Sequence, residues 1–217
     1  MTKSDKTSAT GGLTRRGFAA AAGAAAGAAA LGFPWKPAIA QGSKKLKIGL
    51  VLPFSGPQAQ IGQDEKRGAI AAQKLLPTLG YPEFDIVDGD TETKPEIART
   101  VAAKLIDQGC NVLIGAFDSG QTIASVQVAE QKGVPYVVNV GAAPQITESG
   151  YKWVVRNFPT VPMILNDAFA NQTLLFDYTK KAPKTVVILH TNDTYGTIVA
   201  NNAPKLATAN KMPYKIL

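Results

Sequence analysis

The chain has 217 residues, 45% hydrophobic and 18% charged, with a formal net charge of +7 and one cysteine. That is enough apolar material for one or two globular domains, and a single cysteine excludes an intrachain disulfide. Five Lys/Arg and one Asp fall within the first 40 residues, so the rest carries only +3, which gives no reason to expect nucleic acid or an anionic membrane as a partner.

Residues 1–40 have the parts of an export signal: Thr14-Arg15-Arg16-Gly17-Phe18, an Ala/Gly-rich stretch to Phe33, then Ala38-Ile39-Ala40. The paired arginines indicate the twin-arginine route, and the small residues at 38 and 40 place cleavage before Gln41. Alanine and glycine contribute little transfer energy, and the stretch falls short of the ~20 strongly apolar residues that a membrane span requires.

Beyond the leader, strand and helix alternate. Ile48, Leu50, Val51 and Leu52 form the nearly continuous apolar run of a parallel strand buried on both faces, and Ser55-Gly56-Pro57 breaks it. A helix is expected from about Asp64 to Leu76, ending before Pro77. Phe84 to Val87 reads as the second strand and Asp88 to Lys94 as a polar turn. Pro95 suits the first turn of the next helix, where Ile97, Val101 and Leu105 recur on one face and Gly109 supplies the stop. Val112 to Ile114 is the third strand, with Cys110 beside it as a small buried side chain. A helix starts at Ser119 or Gly120, runs to Lys132 and is capped by Gly133; Tyr136 to Val140 is the fourth strand. This rhythm specifies an α/β fold with a Rossmann-like parallel sheet, whose ligands sit at the carboxyl ends of the strands. After Thr147 the rhythm changes. A short Trp153-Val154-Val155 strand leads into Arg156 to Thr160, which reads as a crossing between domains. A helix from Val161 to Lys180, a strand Val186 to Leu189, a helix Tyr195 to Ala209 and a strand beginning at Tyr214 follow.

The strand, then PFSGPQAQIG, then a helix opening QDEKRGAIAA resembles the periplasmic amino-acid-binding proteins of the leucine/isoleucine/valine type, the solute receptors of ABC importers. The stretches DGDTETKPEIARTVAAKLI, NVLIGAFDSGQTIASVQVAEQKGVPYVVNVGAAPQITESG and HTNDTYG match in the family's order. The resemblance implies a two-lobe, type 1 periplasmic-binding fold, with residues 41–158 as the first lobe, holding four parallel strands, and 159–217 as the start of a second. On that reading the chain looks truncated, the second lobe is incomplete, and Tyr214 to Leu217 ends without a partner strand. The fragment alone is expected to be poorly soluble and not to bind ligand.

Gly115-Ala116-Phe117-Asp118-Ser119-Gly120-Gln121-Thr122 has the glycine and Ser/Thr spacing of a phosphate-binding loop, except that Gln121 stands where the lysine belongs. Without that cation, nucleotide hydrolysis is not expected. Amides at a helix start still favour a small anion such as a carboxylate. The resemblance implies that Ser119 binds the amino acid's α-carboxylate; from the residues alone, Ser119 either does so or caps the helix. Asp118 either meets a ligand ammonium or is solvated. Gly141, Ala142 and Ala143 follow the fourth strand on the same edge, and the family uses a loop here to hold the ligand's ammonium and carboxylate. They offer main-chain contacts only, or form a tight turn. Tyr195 matches an aromatic that closes over the ligand from the second lobe, or is an exposed loop tyrosine, with Asp193 capping the helix after it. Ile61 stands where branched-chain-specific members carry a tyrosine, which alters the pocket wall.

No catalytic constellation is found: His190 is the only histidine, and neither a G-x-S-x-G elbow, a Cys/His metal cluster nor G-x-G-x-x-G occurs. The expected function is binding, with no enzyme activity, cofactor or metal. The expected partners are a small amino acid or related carboxylate, an inner-membrane permease and the twin-arginine export machinery, and the location is the periplasm. The alternatives are a ligand-sensing receptor domain and an enzyme on a doubly wound scaffold. N-terminal sequencing of exported protein should return Gln41 as the first residue, and an Arg15→Lys, Arg16→Lys double variant should fail to export.

Overall fold

The computed structural model describes residues 45–217; the leader and its cleavage site lie outside the described residues. The first strand, β1 (Leu46–Leu52), is followed by α1 (Ala59–Leu75), a short 3-10 turn (Leu76–Leu79), β2 (Phe84–Asp90), α2 (Pro95–Asp107), β3 (Val112–Gly115), α3 (Ser119–Lys132) and β4 (Tyr136–Val138). Then come α4 (Gln145–Glu148), β5 (Val154–Arg156), α5 (Val161–Thr179), β6 (Thr185–Val186), α6 (Thr194–Ala209) and β7 (Lys215–Ile216).

Strands β1 to β5 form one parallel sheet in the order β2-β1-β3-β4-β5. The expected four strands are therefore five. Val154–Arg156 does not leave the sheet at a crossing but pairs with β4, Val154 opposite Tyr136, because Val154 fills the core beside Tyr136 and Ile146. Helix α1 begins five residues earlier than Asp64. Gly62 has no side chain, so the first turn seats directly on the backbone of Pro53, and the Gln58 carbonyl accepts from the Ile61 and Gly62 amides at 3.0 and 3.2 Å. Ile61 thus belongs to the first helical turn and not to the loop. The Asp88 to Lys94 turn starts later than expected, since β2 runs on to Asp90 in register with Leu52. Gly89 faces the sheet's core side while Asp88 turns outward to Lys66, and pairing overrides the turn preference of both residues. β4 ends at Val138, because Asn139 turns its side chain back onto neighbouring backbone amides.

Side chains alternate across a strand, so the glycines show which face each helix covers. A Cβ on Gly49 would lie 2.6 Å from Leu113 Cδ2 and 3.1 Å from Leu105 Cδ1, and one on Gly89 would meet Val101 and Leu105. Helix α2 therefore packs closely on the odd-numbered face of β1 and β2, with α3 beside it. Helix α1 lies on the other face, where Lys66 pairs with Asp88 and Gln73 Nε2 donates to the Phe84 carbonyl at 2.8 Å. The core between α2, α3 and the sheet includes Val51, Ala98, Ala102, Leu105, Leu113 and Val126. Cys110 is buried there, and burial raises its thiol pKa against the lowering effect of Lys47.

A second, smaller cluster joins Phe169 of α5 to Ala203 and Ala207 of α6, with Ile188, Met212, Tyr214 and Ile216 packed against it. Here β6 and β7 pair in parallel, Thr185 with Lys215 and Val186 with Ile216. Tyr214 to Leu217 therefore does have a partner strand, contrary to expectation. Tyr214 also donates its hydroxyl to Gln172 Oε1 at 2.5 Å and meets the Phe176 ring edge-on. The strand expected at Val186 to Leu189 is reduced to Thr185–Val186, and Leu189 is 95% exposed.

Leu105, 1% exposed, is the side chain on which α2 and both glycine strands converge. Leu105→Ala should lower stability to urea by about 2–5 kcal/mol, whereas Leu189→Ala should leave it nearly unchanged.

Candidate ligand-binding site

Three loops leave the carboxyl ends of β1, β3 and β4: Pro53–Gln58, 116–118 and 139–144. In the first, Asp90 at the end of β2 accepts from the amides of Phe54 and Ser55 at 2.9 and 3.1 Å and from that of Glu92 at 2.9 Å. Burial opposes ionisation of Asp90, but the Ser55 hydroxyl and these amides outweigh it, so its pKa lies below the ordinary carboxylate value.

The second loop carries the sequence's central candidates. Ser119 is the first residue of α3, so the residue before it caps the helix: Asp118 Oδ1 accepts from the Gln121 amide at 3.0 Å. Asp118 is therefore the capping residue, through one of its two carboxylate oxygens, and Ser119 is not the cap. Ser119 is buried, and its Oγ accepts from the Ala143 amide at 3.3 Å, which joins the α3 start to the third loop. Thr122 Oγ1 donates to the Asp118 carbonyl at 2.7 Å and accepts from the Ala116 amide at 3.3 Å, closing the turn beneath Phe117. Gln121, in the lysine's place of a phosphate-binding loop, points inward. Its Nε2 donates to Gln58 Oε1 at 2.9 Å and its Oε1 accepts from the Thr91 hydroxyl, so it braces two neighbouring loops.

The third loop has its carbonyls tied from behind. Arg156 of β5 donates to the Gly141 carbonyl and, at 2.7 Å, to that of Ala143, while the Val161 amide donates to the Ala142 carbonyl at 2.9 Å. Gly141 must be glycine, since a Cβ there would lie 2.6 Å from Thr122 Oγ1. With these carbonyls held, the amides of Gly141 and Ala142 have no protein acceptor among the described residues. The amides of Ser119 and Gly120 likewise have none within α3, as first-turn positions. Loops 116–120 and 141–143 thus present main-chain donors on one edge, a suitable surface for a carboxylate.

Facing them is the start of α6. Asp193 caps that helix as expected, Oδ1 accepting from the Gly196 amide at 2.7 Å. Tyr195 is the helix's second residue and 39% exposed. The approach to α3 is made by its neighbour: a Cβ on Gly120 would lie 3.2 Å from Thr194 Oγ1 and 3.4 Å from Pro95 Cγ. Of the sequence candidates, Ser119 and Gly141 to Ala143 are joined directly by hydrogen bonding or through Thr122. No such link ties Ile61 or Tyr195 to them. His190 is exposed, its Nδ1 donating to the Thr191 carbonyl at 2.8 Å, and there is no grouping of metal-ligating side chains among the described residues.

Sequence reasoning passed over Gln121's bracing role, Arg156 and Glu65, and gave Asn139, at the head of the 139–144 stretch, no role of its own. Asn139 Oδ1 accepts from the Val140 amide at 2.9 Å and the Phe117 amide at 3.4 Å, linking the second and third loops. Glu65, on α1, has a buried Oε2 without a hydrogen-bond partner. Burial raises its pKa to about 7, with Asn139 pulling the other way. The only sequence signal for Glu65 was a carboxylate at the helical spacing of Gly62 and Ala69.

The sequence pattern of the family described as "Periplasmic binding protein" matches residues 45–215. The Leucine-, isoleucine-, valine-, threonine-, and alanine-binding protein of Pseudomonas aeruginosa is 28% identical over 163 residues, 74% of this chain and 42% of its own length. Leu/Ile/Val-binding protein homolog 7 of Brucella abortus is 28% identical over 174 residues, 75% of this chain and 42% of its own. The leucine binding protein of Thermotoga maritima superimposes with a TM-score of 0.67 at 25% identity, covering 79% of this chain and 48% of that one. An ABC transporter solute binding protein of Rhodopseudomonas palustris in complex with benzoate gives 0.66 at 27% identity, covering 80% and 48%. The chain spans under half the length of these curated relatives. With its parallel sheet, its βαβ order and a match over most of its residues, the chain belongs to the periplasmic binding protein family.

Proposed function

We propose that the chain supplies the carboxylate-gripping side of the ligand cleft in an extracytoplasmic receptor of an ABC importer. The observation that carries this reading is the pair of loops at residues 116–120 and 141–143. Ser119 Oγ joins them, Arg156 fixes the second, and the two leave unpaired amides on the sheet's carboxyl edge. That surface provides hydrogen-bond donors and helix dipole but no lysine in the loop, a match for a monoanion rather than a polyphosphate. The relatives' printed ligands share this chemistry: the leucine, isoleucine and valine of one group and the benzoate of another are all carboxylates. Residues 41–158 form the first lobe and 159–217 begin the second. A ligand held by Ser119 and the Gly141 to Ala143 loop is covered from the α6 side, with Thr194 and Tyr195 at the closing edge and Ile61 on the pocket wall. The loaded receptor delivers its ligand to a permease from the periplasm, after export by the twin-arginine machinery, and catalyses no reaction itself.

The test is thermal unfolding, with L-leucine, L-isoleucine, L-valine and benzoate, of a version extended through the remaining strands of the second lobe, since these 217 residues alone are expected not to bind. A ligand at a hundred times its Kd should raise stability by about 2.7 kcal/mol, and no shift with any of the four would refute the reading. In a chain that binds, Ser119→Ala should weaken affinity about tenfold or more, since a hydroxyl bonded to a carboxylate is worth about 1.5–3 kcal/mol. A loss of stability at unchanged affinity would leave Ser119 a loop fastener only. Ile61→Tyr should shift preference among the same four ligands; an identical ranking would remove Ile61 from the pocket wall.

A further inference from the structure

We propose that Gly120 is a positioning residue for closure over the ligand: its bare Cα is the seat on which the start of α6 rests, and the missing side chain sets how low α6 lies over the free amides of Ser119 and Gly120. This rests on the reading of residues 116–120 and 141–143 as the ligand surface.

Gly120 is the second residue of α3, a place where alanine is the better helix former and glycine loses the most chain entropy on folding. Conformation does not call for glycine here, because Gly120 lacks the positive φ of the chain's turn glycines. Space does. A Cβ on Gly120 would lie 3.2 Å from Thr194 Oγ1 of α6 and 3.4 Å from Pro95 Cγ of α2, besides 3.1 Å from Asp118 Oδ1 in its own turn. Gly68, inside α1, is the contrast: a Cβ there would have nothing within 4 Å.

Three helix starts thus meet at one bare position, α2 through Pro95, α3 through Gly120 itself and α6 through Thr194. Helices α2 and α3 are packed side by side on the sheet, which fixes the first two. Helix α6 belongs instead to the cluster around Phe169, through Ala203 and Ala207. It reaches the main core through Ile198, one turn after Thr194 and on the same face. With contacts at both ends of that turn, the start of α6 lies flat against α3 only while position 120 has no side chain.

The amides of Ser119 and Gly120 stand at this same junction, so the height of α6 is also the height of the roof over a carboxylate bound to them. A side chain at position 120 keeps both amides and the Ser119 hydroxyl but lifts the roof, by a few tenths of an ångström for alanine and further for leucine. Water then reaches the bound carboxylate. A ligand leaves a roofed cleft when the roof opens, so the loss falls on the dissociation rate, while entry into the open cleft is unchanged.

The test uses the receptor extended through the remaining strands of the second lobe, as wild type, Gly120→Ala, Gly120→Leu and Gly68→Ala, with the tightest-binding of L-leucine, L-isoleucine, L-valine and benzoate as probe. Stopped-flow dissociation should be roughly threefold faster in Gly120→Ala and roughly tenfold or more in Gly120→Leu, with association within about twofold of wild type. Gly68→Ala should match wild type in both rates. Adding Thr194→Ala to Gly120→Ala should bring dissociation back towards wild type, which disturbance of the Asp118 cap alone would not allow. Without ligand, Ile198→Ala should cost less stability to urea in either Gly120 variant than in wild type, because Ile198 has already been lifted from the core. Unchanged dissociation in both Gly120 variants, or strictly additive urea effects at positions 120 and 198, would overturn the proposal. Should Gly120→Leu not fold, Gly120→Ala and its Thr194→Ala combination decide alone. If wild type binds none of the four probes the receptor reading fails, and the urea coupling still decides whether Gly120 is the seat of α6.

Discussion

The close seating of α2 on the glycine floor of β1 and β2 is the constraint from which the rest of the site follows. Gly49 and Gly89 present backbone where other strand residues would present side chains, and Leu105 and Val101 occupy the space. An approach this close fixes the depth of α2, and α3 packs beside it. The start of α3 therefore lands where Ser119 Oγ reaches the Ala143 amide. A bulkier strand residue would lift α2, and with it the α3 terminus, by more than a hydrogen bond tolerates.

Buried polar contacts then convert that placement into a shaped edge. Gln121 and Thr91 are nearly inaccessible to water and spend their hydrogen bonds on each other and on Gln58, so the three loops after β1, β2 and β3 move as one. Arg156 supplies a planar fork to two carbonyls, a geometry lysine does not reproduce. Burial lowers the Arg156 pKa against the influence of Glu148, yet a guanidinium stays charged at any pH the protein meets. With the carbonyls of the 141–143 loop taken from behind, its amides are the groups left to face outward. The free amides are preorganised by ties that lie behind them.

How far this was legible in the sequence differs by feature. The order of strands and helices was, because apolar runs and the Pro95, Gly109 and Gly133 punctuation report local conformation directly. The start of α1 was not, since Gly62 earns its place through a contact with Pro53, nine positions away. Asp88 and Gly89 read as turn residues in isolation and are strand residues only because β1 lies alongside. Val154 similarly joins the sheet because a slot beside Tyr136 is open to it. In the site, Ser119 and the 141–143 loop were legible as small residues after strand ends. Asp118 as the cap was not separated from Ser119, because a one-residue shift in helix start exchanges their roles. Asn139 reaches the Phe117 amide 22 residues back and Arg156 the Gly141 and Ala143 carbonyls 15 and 13 residues back, and nothing in their own neighbourhoods announces it.

The charges around the edge bear on what kind of anion it accepts. The first turn of α3 offers partial positive charge, but Asp118 already neutralises part of it as the cap, and Asp193 does the same for α6 across from it. Each cap consumes a donor as well as potential, leaving on α3 the amides of Ser119 and Gly120. Gln121, where a phosphate site would carry a cation, is turned into the protein by Thr91 and Gln58. An edge with few free amides, two capping carboxylates and no mobile lysine in its loop holds one negative charge comfortably and penalises a second. The same two carboxylates that limit the negative charge of a ligand also leave room for a positive group a few ångströms from its carboxylate. Were the proposed carboxylate bound here, a zwitterion would satisfy both conditions and an aromatic acid only the first, since Asp118 and Asp193 each commit one oxygen, Oδ1, to capping.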